Sequence, residues 1–168
     1  DPAVAARGSG PLRIAGNLPY NLSTPLLFHL TAGPAVQDLH VLLQREVVER
    51  MAAAPGGGIY GRLSVMIQYR CRVQPLFDVP PGAFRPPPRV TSTFVRLNPH
   101  VRPPVTVPSE AALDRVVARA FSARRKTLRN ALKGAMSGST IEAAGVDPGQ
   151  RPERLSLADF AALARALG

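Results

Sequence analysis

The tetrapeptide Asn17-Leu18-Pro19-Tyr20 places an amide side chain, a restrained backbone carbonyl and an aromatic ring directly after a short apolar run. Pro19 restricts Leu18 to extended conformations and brings no N–H of its own, so the Leu18 carbonyl and the Asn17 amide oxygen are two acceptors in fixed positions. Such a pair can hold the two hydrogens of adenine N6 by positioning and fixed electrostatics. Tyr20 can stack on the same base, a contact worth about 1–3 kcal/mol in single-stranded complexes. This arrangement would prepare the amine to attack a methyl group on a sulfonium.

The alternative is an Asx-type turn between a strand and a helix, with Tyr20 only packing. The position of the tetrapeptide favours the chemical interpretation. "PLRIAGN" predicts a buried strand ending at Gly16, and "STPLLFHL" predicts a helix capped by Ser23 or Thr24 with Pro25 in its first position. Ligands of open α/β sheets bind beyond the carboxyl ends of the strands, which is where the tetrapeptide would lie.

The rest of the first hundred residues predicts a small α/β sheet. "DLHVLLQ" is typical of a second buried strand and "REVVERMAAA" of a helix, so strand and helix alternate as in a parallel sheet. "LSVMIQYRCRVQPLFDV" is rich in β-branched and aromatic residues, which predicts one long strand or two joined near Gln74 and Pro75. "STFVRLNPH" predicts another strand, reached through the proline-stiffened "VPPGAFRPPPRV". These strands suggest a hairpin that closes a sheet edge.

The remaining residues predict a small helical domain after the linker "HVRPPVTVP". Ser109 can cap a helix whose apolar residues form one stripe, and Ser156 with Asp159 forms a variant of the capping box ahead of a helix that buries Phe160, Leu163 and Leu167. We therefore predict an α/β domain over residues 1–104 and an all-helical domain over residues 105–168.

Composition narrows the class of partner. The 168 residues carry a formal charge of +10, which favours a polyanion such as nucleic acid, although the excess of arginine over lysine is also what a GC-rich genome produces. The single Cys71 cannot form an internal disulfide, and no Cys/His spacing resembles a zinc site, so we expect no metal. With neither an apolar run of membrane-spanning length nor a signal peptide, we expect a cytoplasmic protein.

Five ordered blocks of the sequence resemble the ribosomal RNA adenine dimethyltransferases. They are "NLPYNLSTPLLFHL", "LQREVVERM", "YGRLSVMIQY", "VPPGAFRPPPRVTS" and "FSARRKTLRNAL". The resemblance covers nearly all of the chain from Arg13 onward and is strongest to the KsgA type, also called dimethyladenosine transferase. It implies a Rossmann-like methyltransferase sheet, of which this chain would hold the C-terminal strands and helices, followed by a helical domain that contacts rRNA.

The resemblance also implies roles for individual residues. Asn17 would touch both the target N6 and the methionine part of S-adenosylmethionine, while Leu18 and Pro19 present the backbone acceptor. Tyr20 would stack on the adenine, and Phe84 would stack on its other face. From the residues alone, Phe84 is an aromatic on a proline-stiffened loop, which suits a stacking face but also suits a plug at the sheet edge.

The basic segment "FSARRKTLRNALK" predicts a helix with Arg125, Arg129 and Lys133 on one cationic face and with Leu128 and Leu132 on its apolar side. Like charges four residues apart repel, so such a helix gains from a phosphate partner; the alternative is a solvated arginine face. Residues beside Phe84 could reach the substrate backbone in the same way. The predicted RNA-binding residues are Arg124, Arg125, Lys126, Arg129, Lys133, Arg85 and Arg89.

Together these features predict a monomeric enzyme that uses S-adenosylmethionine to dimethylate N6 of two adjacent adenosines near the 3′ end of 16S rRNA, in the immature small subunit. No glycine loop precedes the first strand, so we expect the chain to be the C-terminal part of a longer enzyme and, alone, neither to bind the cofactor well nor to turn over. The alternatives are a non-catalytic RNA-binding factor of ribosome assembly, an erythromycin-resistance-type 23S rRNA methyltransferase and, less favoured, a DNA adenine methyltransferase.

Overall fold

The computed structural model describes residues 11–19, 21–32, 36–123 and 125–167. Within these ranges the strands are β1 (Leu12–Asn17), β2 (Val36–Gln44), β3 (Cys71–Val79) and β4 (Ser92–Pro99). The helices are α1 (Ser23–Leu30), α2 (Arg45–Ala52), α3 (Arg62–Arg70), α4 (Glu110–Ala120), α5 (Leu128–Ala131), α6 (Gly138–Ala143) and α7 (Leu157–Leu167). Among the described residues, no helix is both long and apolar enough to cross a membrane.

The strands form one sheet in the order β1-β2-β4-β3. β1 pairs with β2 in parallel, and β4 is antiparallel to both of its neighbours. β1, β2 and β3 therefore run in the same direction and end at the same edge of the sheet. The predicted α/β class, the parallel pairing of the first two strands and the hairpin at the sheet edge are confirmed.

One face of this sheet forms the core of the α/β unit. Leu39, Val41 and Leu43 alternate along β2 and are completely buried, as are Val95 and Leu97 on β4. Side chains alternate between the faces of a strand and Val41 pairs with Val95, which is why the alternate apolar residues of the two strands point to the same side. This packing fixes the register of the strands and hence the positions of their carboxyl ends.

The prediction that the segment from Leu63 is all strand was wrong. Residues 62–70 form α3, and β3 begins only at Cys71. Six of the nine residues of α3 are buried, five of them consecutive from Leu63 to Ile67, so the buried run shows neither a helical nor a strand period. The β-branched and aromatic residues of this segment favoured a strand, but burial and not local propensity determines the helical conformation of α3.

The chain divides into two compact units, one of Asp1–Ala52 and Arg70–Arg102, the other of Ala53–Tyr69 and Pro103–Gly168. The second unit is helical, and the predicted caps of its helices are confirmed. The Ser109 hydroxyl accepts a hydrogen bond from the Ala112 N–H at 3.1 Å. Ser156 and Asp159 exchange backbone-to-side-chain bonds of 2.8 and 3.2 Å at the start of α7, where Phe160 is completely buried.

Candidate functional site

Asn17 is the last residue of β1 and lies beside Leu42 of β2. Its side chain is exposed and has no hydrogen-bond partner among the described residues. The amide is thus held on a paired strand end in an exposed position. A rigid strand end is a suitable place for a group that must be aimed at a ligand.

The backbone leaves the sheet immediately after Asn17. The Leu18 N–H still donates to the Leu42 carbonyl at 3.3 Å, whereas the Pro19 carbonyl accepts from the Leu22 N–H at 3.0 Å in a turn. Within the described ranges, nothing donates to the Leu18 carbonyl. The two acceptors predicted from the sequence are therefore adjacent and uncommitted in this part of the chain. Tyr20 lies outside the described residues.

The first turn of α1 starts without the side-chain cap that was predicted. Leu22 precedes the helix and makes no side-chain cap bond, and Pro25 is the third helical residue rather than the first. The turn closed by Leu22 N and Pro19 O satisfies a helix-end N–H in place of a Ser23 or Thr24 hydroxyl. The prediction of the cap was wrong, but the helix itself is confirmed.

Phe84 lies on the loop of residues 80–91, which follows β3 at the same sheet edge as Asn17. A 3-10 turn, Pro81–Ala83, precedes it, and the half-buried Phe84 is extended with φ −119° and ψ 154°. The ends of β1 and β3 are three strand spacings apart, or roughly 14 Å. The loop must therefore extend along the edge for the Phe84 ring to face the Asn17 amide.

Arg45 ties the two ends of this loop to the end of β2. Its N–H donates to the Thr91 carbonyl at 3.0 Å, and its guanidinium lies 3.4 Å from the Asp78 carboxylate, which also accepts from Thr93 Oγ1 at 2.6 Å. Arg45 also pairs with Glu49 one helical turn on, at 2.8 Å. β2 neighbours β1, so these contacts hold the loop base near the strand that ends in Asn17. Arg45 could not be identified from the sequence, where only its spacing to Glu49 is visible.

A buried carboxylate fixes the other end of β1. The Asp38 side chain is 2% exposed and lies 3.0 Å from Arg13 Nη2, with His40 Nδ1 at 3.4 Å and Arg96 Nη2 at 3.9 Å. The hydrogen bond from Arg13 lowers the pKa of Asp38, and the neighbouring positive charges add to this effect while burial opposes it. This ion pair joins β1 to β2 and so helps to hold the strand that presents Asn17.

The predicted basic helix is mostly not helical. α5 spans only Leu128–Ala131, so Arg125, Arg129 and Lys133 do not share one helical face as was predicted. The N–H groups of Leu128 and Arg129 donate to the carbonyls of Gln150 and Pro148, at 2.8 and 3.0 Å. These long-range hydrogen bonds start α5 at Leu128. A helix continuous through the basic segment would instead have placed like charges one turn apart, where they repel.

The predicted RNA-binding residues in the described part of the chain are all exposed. Arg125 and Lys126 precede α5, and Lys133 follows it. Arg129 lies 3.7 Å from Glu142, with both side chains more than half exposed, so this pair contributes little to stability. Arg85 and Arg89 are on the loop of residues 80–91. Arg124 lies outside the described residues.

The fold and site define a Rossmann-like α/β protein with a polar, accessible strand end. Residues 5–167 match the ribosomal RNA adenine dimethylase family, and the chain belongs to that family. It is 59% identical over 157 residues to ribosomal RNA small subunit methyltransferase A of Pseudomonas aeruginosa, covering 93% of this chain and 59% of that protein. It is 60% identical over 156 residues to the protein of the same name from Nitrosococcus oceani, covering 92% and 59%. The chain thus spans about three fifths of the length of these curated relatives.

Two solved structures share the fold. A dimethyladenosine transferase from Plasmodium falciparum superposes with a TM-score of 0.79 at 24% identity, covering 95% of this chain and 69% of that one. The 23S rRNA methyltransferase ErmE superposes with a TM-score of 0.70 at 21% identity, covering 99% and 69%. At these identities the likeness supports the fold and does not distinguish between substrates.

Proposed function

We propose that the protein to which this chain belongs transfers methyl groups from S-adenosylmethionine to N6 of two adjacent adenosines near the 3′ end of small-subunit rRNA. Family membership supports adenine as the methyl acceptor. The name shared by relatives at 57–60% identity supports the small subunit over the large one. The observation that carries the proposal for this chain is the pairing of an exposed Asn17 amide with a Leu18 carbonyl that has left the sheet.

In this proposal the Asn17 side-chain oxygen and the Leu18 carbonyl each accept one N6 hydrogen. Adenine N6 is a poor nucleophile because its lone pair is conjugated with the ring. Two acceptors set to either side of the amine favour a tetrahedral nitrogen, whose lone pair then points away from the ring plane. They act as a preorganised electrostatic environment, and the proton released after transfer passes to solvent.

The target base is expected to leave its stack and enter between two aromatic rings. Phe84, on its anchored loop, would supply one ring and Tyr20 the other. The exposed Arg85 follows Phe84 directly and the exposed Arg89 lies on the same loop, and both suit the phosphates that flank an extruded base. The cations of the basic segment, residues 124–133, would bind rRNA of the immature small subunit, with the enzyme acting as a cytoplasmic monomer.

The residues present fit one contact with S-adenosylmethionine. The accessible amide of Asn17 has a donor as well as an acceptor, and it can therefore bond the methionine part while it orients the adenine amine. S-adenosylmethionine supplies a methyl group bonded to a positively charged sulfur. The part of this chain in the reaction is to present N6 to that methyl group in line.

The proposal is tested with the complete product of the gene, unmodified small subunits and isotopically labelled S-adenosylmethionine. We expect N6,N6-dimethyladenosine in small-subunit rRNA, located by mass spectrometry of nuclease fragments. Large-subunit particles serve as the control substrate and should remain unlabelled. Binding of small subunits without any methyl transfer would refute the proposed enzymatic activity and favour an RNA-binding assembly factor. Labelling of large-subunit rRNA instead would refute small-subunit rRNA as the substrate.

A further inference from the structure

The helical unit contains a cavity of about 540 Å³ that the proposed methyl-transfer site does not use. It lies between α4, the segment after α5 and the end of α7, and its volume is within the range of about 300–1,000 Å³ typical of ligand sites. Its lining includes Arg115, Val116, Ala118, Arg119, Leu132 and Met136.

The floor of the cavity is apolar and its rim is cationic. Val116 and Leu132 are 1% exposed and Met136 is 7% exposed, whereas Arg115 and Arg119 are exposed. The two arginines lie one turn apart on α4, where like charges repel. No acidic residue lines the cavity, and Arg115 has no ion-pair partner among the described residues. A helix that carries this pair gains from an anion.

Arg119 is held in place at the edge of the cavity. Its Nη2 donates to the Lys133 carbonyl at 2.7 Å. The next residue, Gly134, has φ +83°, and a Cβ there would lie 3.3 Å from the same nitrogen. The tight left-handed turn thus lets the guanidinium approach the backbone closely. A guanidinium fixed in this way presents a flat face, which is one of the surfaces on which unstacked bases rest.

A second depression of about 590 Å³ adjoins the first. Arg129 and Lys133 line it, and it shares Ala135 and Met136 with the first cavity. Four cations therefore border two contiguous depressions. Among the described residues, Arg129 pairs with the acidic Glu142, and no acidic residue pairs with the other three cations. Charge of one sign along an extended path suits a polyanion better than a single anion.

We propose that these two depressions bind one stretch of single-stranded RNA, with an unstacked base on the apolar floor beside Arg119 and Met136. The adjoining phosphates would lie against Arg115 on one side and Arg129 and Lys133 on the other. A thioether and a guanidinium both make favourable contacts with a ring face. Duplex RNA keeps its bases stacked and cannot fill the recess. This site rests on the proposed function for its RNA substrate; it shares Arg129 and Lys133 with the predicted rRNA contacts and adds the recess beside Arg115 and Arg119.

The test uses a ten-nucleotide single-stranded RNA with 2-aminopurine at its centre, bound to the complete gene product. Ala118→Leu fills the cavity from a half-buried position without changing the charge, and Ala162→Leu on α7 is the matched control. We expect Ala118→Leu to weaken binding at least fivefold and to remove the fluorescence change, and the control to do neither. Arg115→Gln should lower the slope of log affinity against log salt by about 0.7, the value for loss of one phosphate contact to a single strand.

Thermal unfolding checks each variant, and Ala135→Leu replaces Ala118→Leu if the latter unfolds early. Unchanged affinity and unchanged fluorescence in the cavity-filled protein would overturn the inference. So would equal affinity for duplex RNA of the same length, or tighter binding to phosphatidylserine vesicles than to RNA. Methyl transfer by the complete gene product is measured separately. Its failure with intact binding of the oligonucleotide refutes the proposed function only, whereas insensitivity to Ala118→Leu refutes this site only.

Discussion

Replacing Arg45 by glutamine removes the guanidinium that ties Asp78 to the start of α2 and leaves the backbone bond from residue 45 to Thr91 in place. The base of the loop that carries Phe84 then loses one of its two ties. We expect this loop to open more often while the fold of the sheet is unchanged.

The size of the effect follows from the exposure of the ion pair. The separation is 3.4 Å, but the side chains of Arg45 and Asp78 are 56% and 47% exposed. Pairs this exposed contribute about 0.2–1 kcal/mol. If loop opening breaks the pair, the Phe84 amide should exchange about 1.4-fold to fivefold faster with solvent deuterium. Its N–H is a suitable reporter because it donates to the Pro81 carbonyl inside the loop, at 3.1 Å.

Hydrogen exchange followed by NMR measures this change. Glu49→Gln is the control, since it removes the other partner of Arg45 and leaves the contact with Asp78. The difference between Arg45→Gln and the wild type should shrink at about 1 M salt, where the Debye length is near 3 Å. Equal exchange of Phe84 in Arg45→Gln and the wild type at low salt would refute the reasoning. An equal acceleration in Glu49→Gln would refute it as well.

Three further predictions concern buried groups. The hydrogen bond from Arg13 lowers the pKa of Asp38. The stability that this ion pair contributes is therefore present above the unfolded pKa of about 3.9 and is lost as pH falls through the lower folded pKa. The excess unfolding free energy of wild type over Asp38→Asn, measured in urea, should vanish in acid, and a constant difference would contradict the pairing. Leu128 is completely buried, so Leu128→Ala should cost about 2–5 kcal/mol of unfolding free energy, whereas Leu76→Ala, at a 48% exposed site, should cost far less. Burial raises the pKa of Cys71 to about 12, so its thiol should resist a disulfide reagent at pH 8 until the chain unfolds, and rapid labelling of the native protein would be contrary to this.

The parts of the fold that followed from sequence are those with a local pattern. β2 and β4 bury alternate residues, so their period of two is visible in the sequence. The tetrapeptide that starts at Asn17 directly follows the apolar run of β1, so its place at the end of a strand is also visible. The Ser109 cap is equally local, since a hydroxyl and an N–H three residues on suffice to form it. The position of Asn17 at the end of β1 is local in the same sense, whereas the role of Asn17 and Leu18 in holding an adenine amine stays a prediction.

The parts that sequence could not predict depend on distant contacts. α3 contains five consecutive buried residues, Leu63 to Ile67, so no pattern distinguishes it from a strand. α5 begins where Pro148 and Gln150 accept its first N–H groups, and nothing in the basic segment itself encodes that start. Arg45 and Arg119 look like ordinary surface arginines in the sequence, and only the folded chain brings them to Asp78 and to the Lys133 carbonyl.

The most direct test of the account is the single-turnover rate of methyl transfer to small-subunit rRNA by the Asn17→Ala variant of the complete gene product. Asn98→Ala is the control, since it removes the same side chain from the opposite end of the sheet. Loss of one preorganised polar contact to a reacting group costs on the order of 10²–10³ in rate, so we predict a loss of that size with RNA affinity nearly unchanged. Transfer by Asn17→Ala at the rate of the Asn98→Ala control would contradict the claim that Asn17 holds the adenine amine.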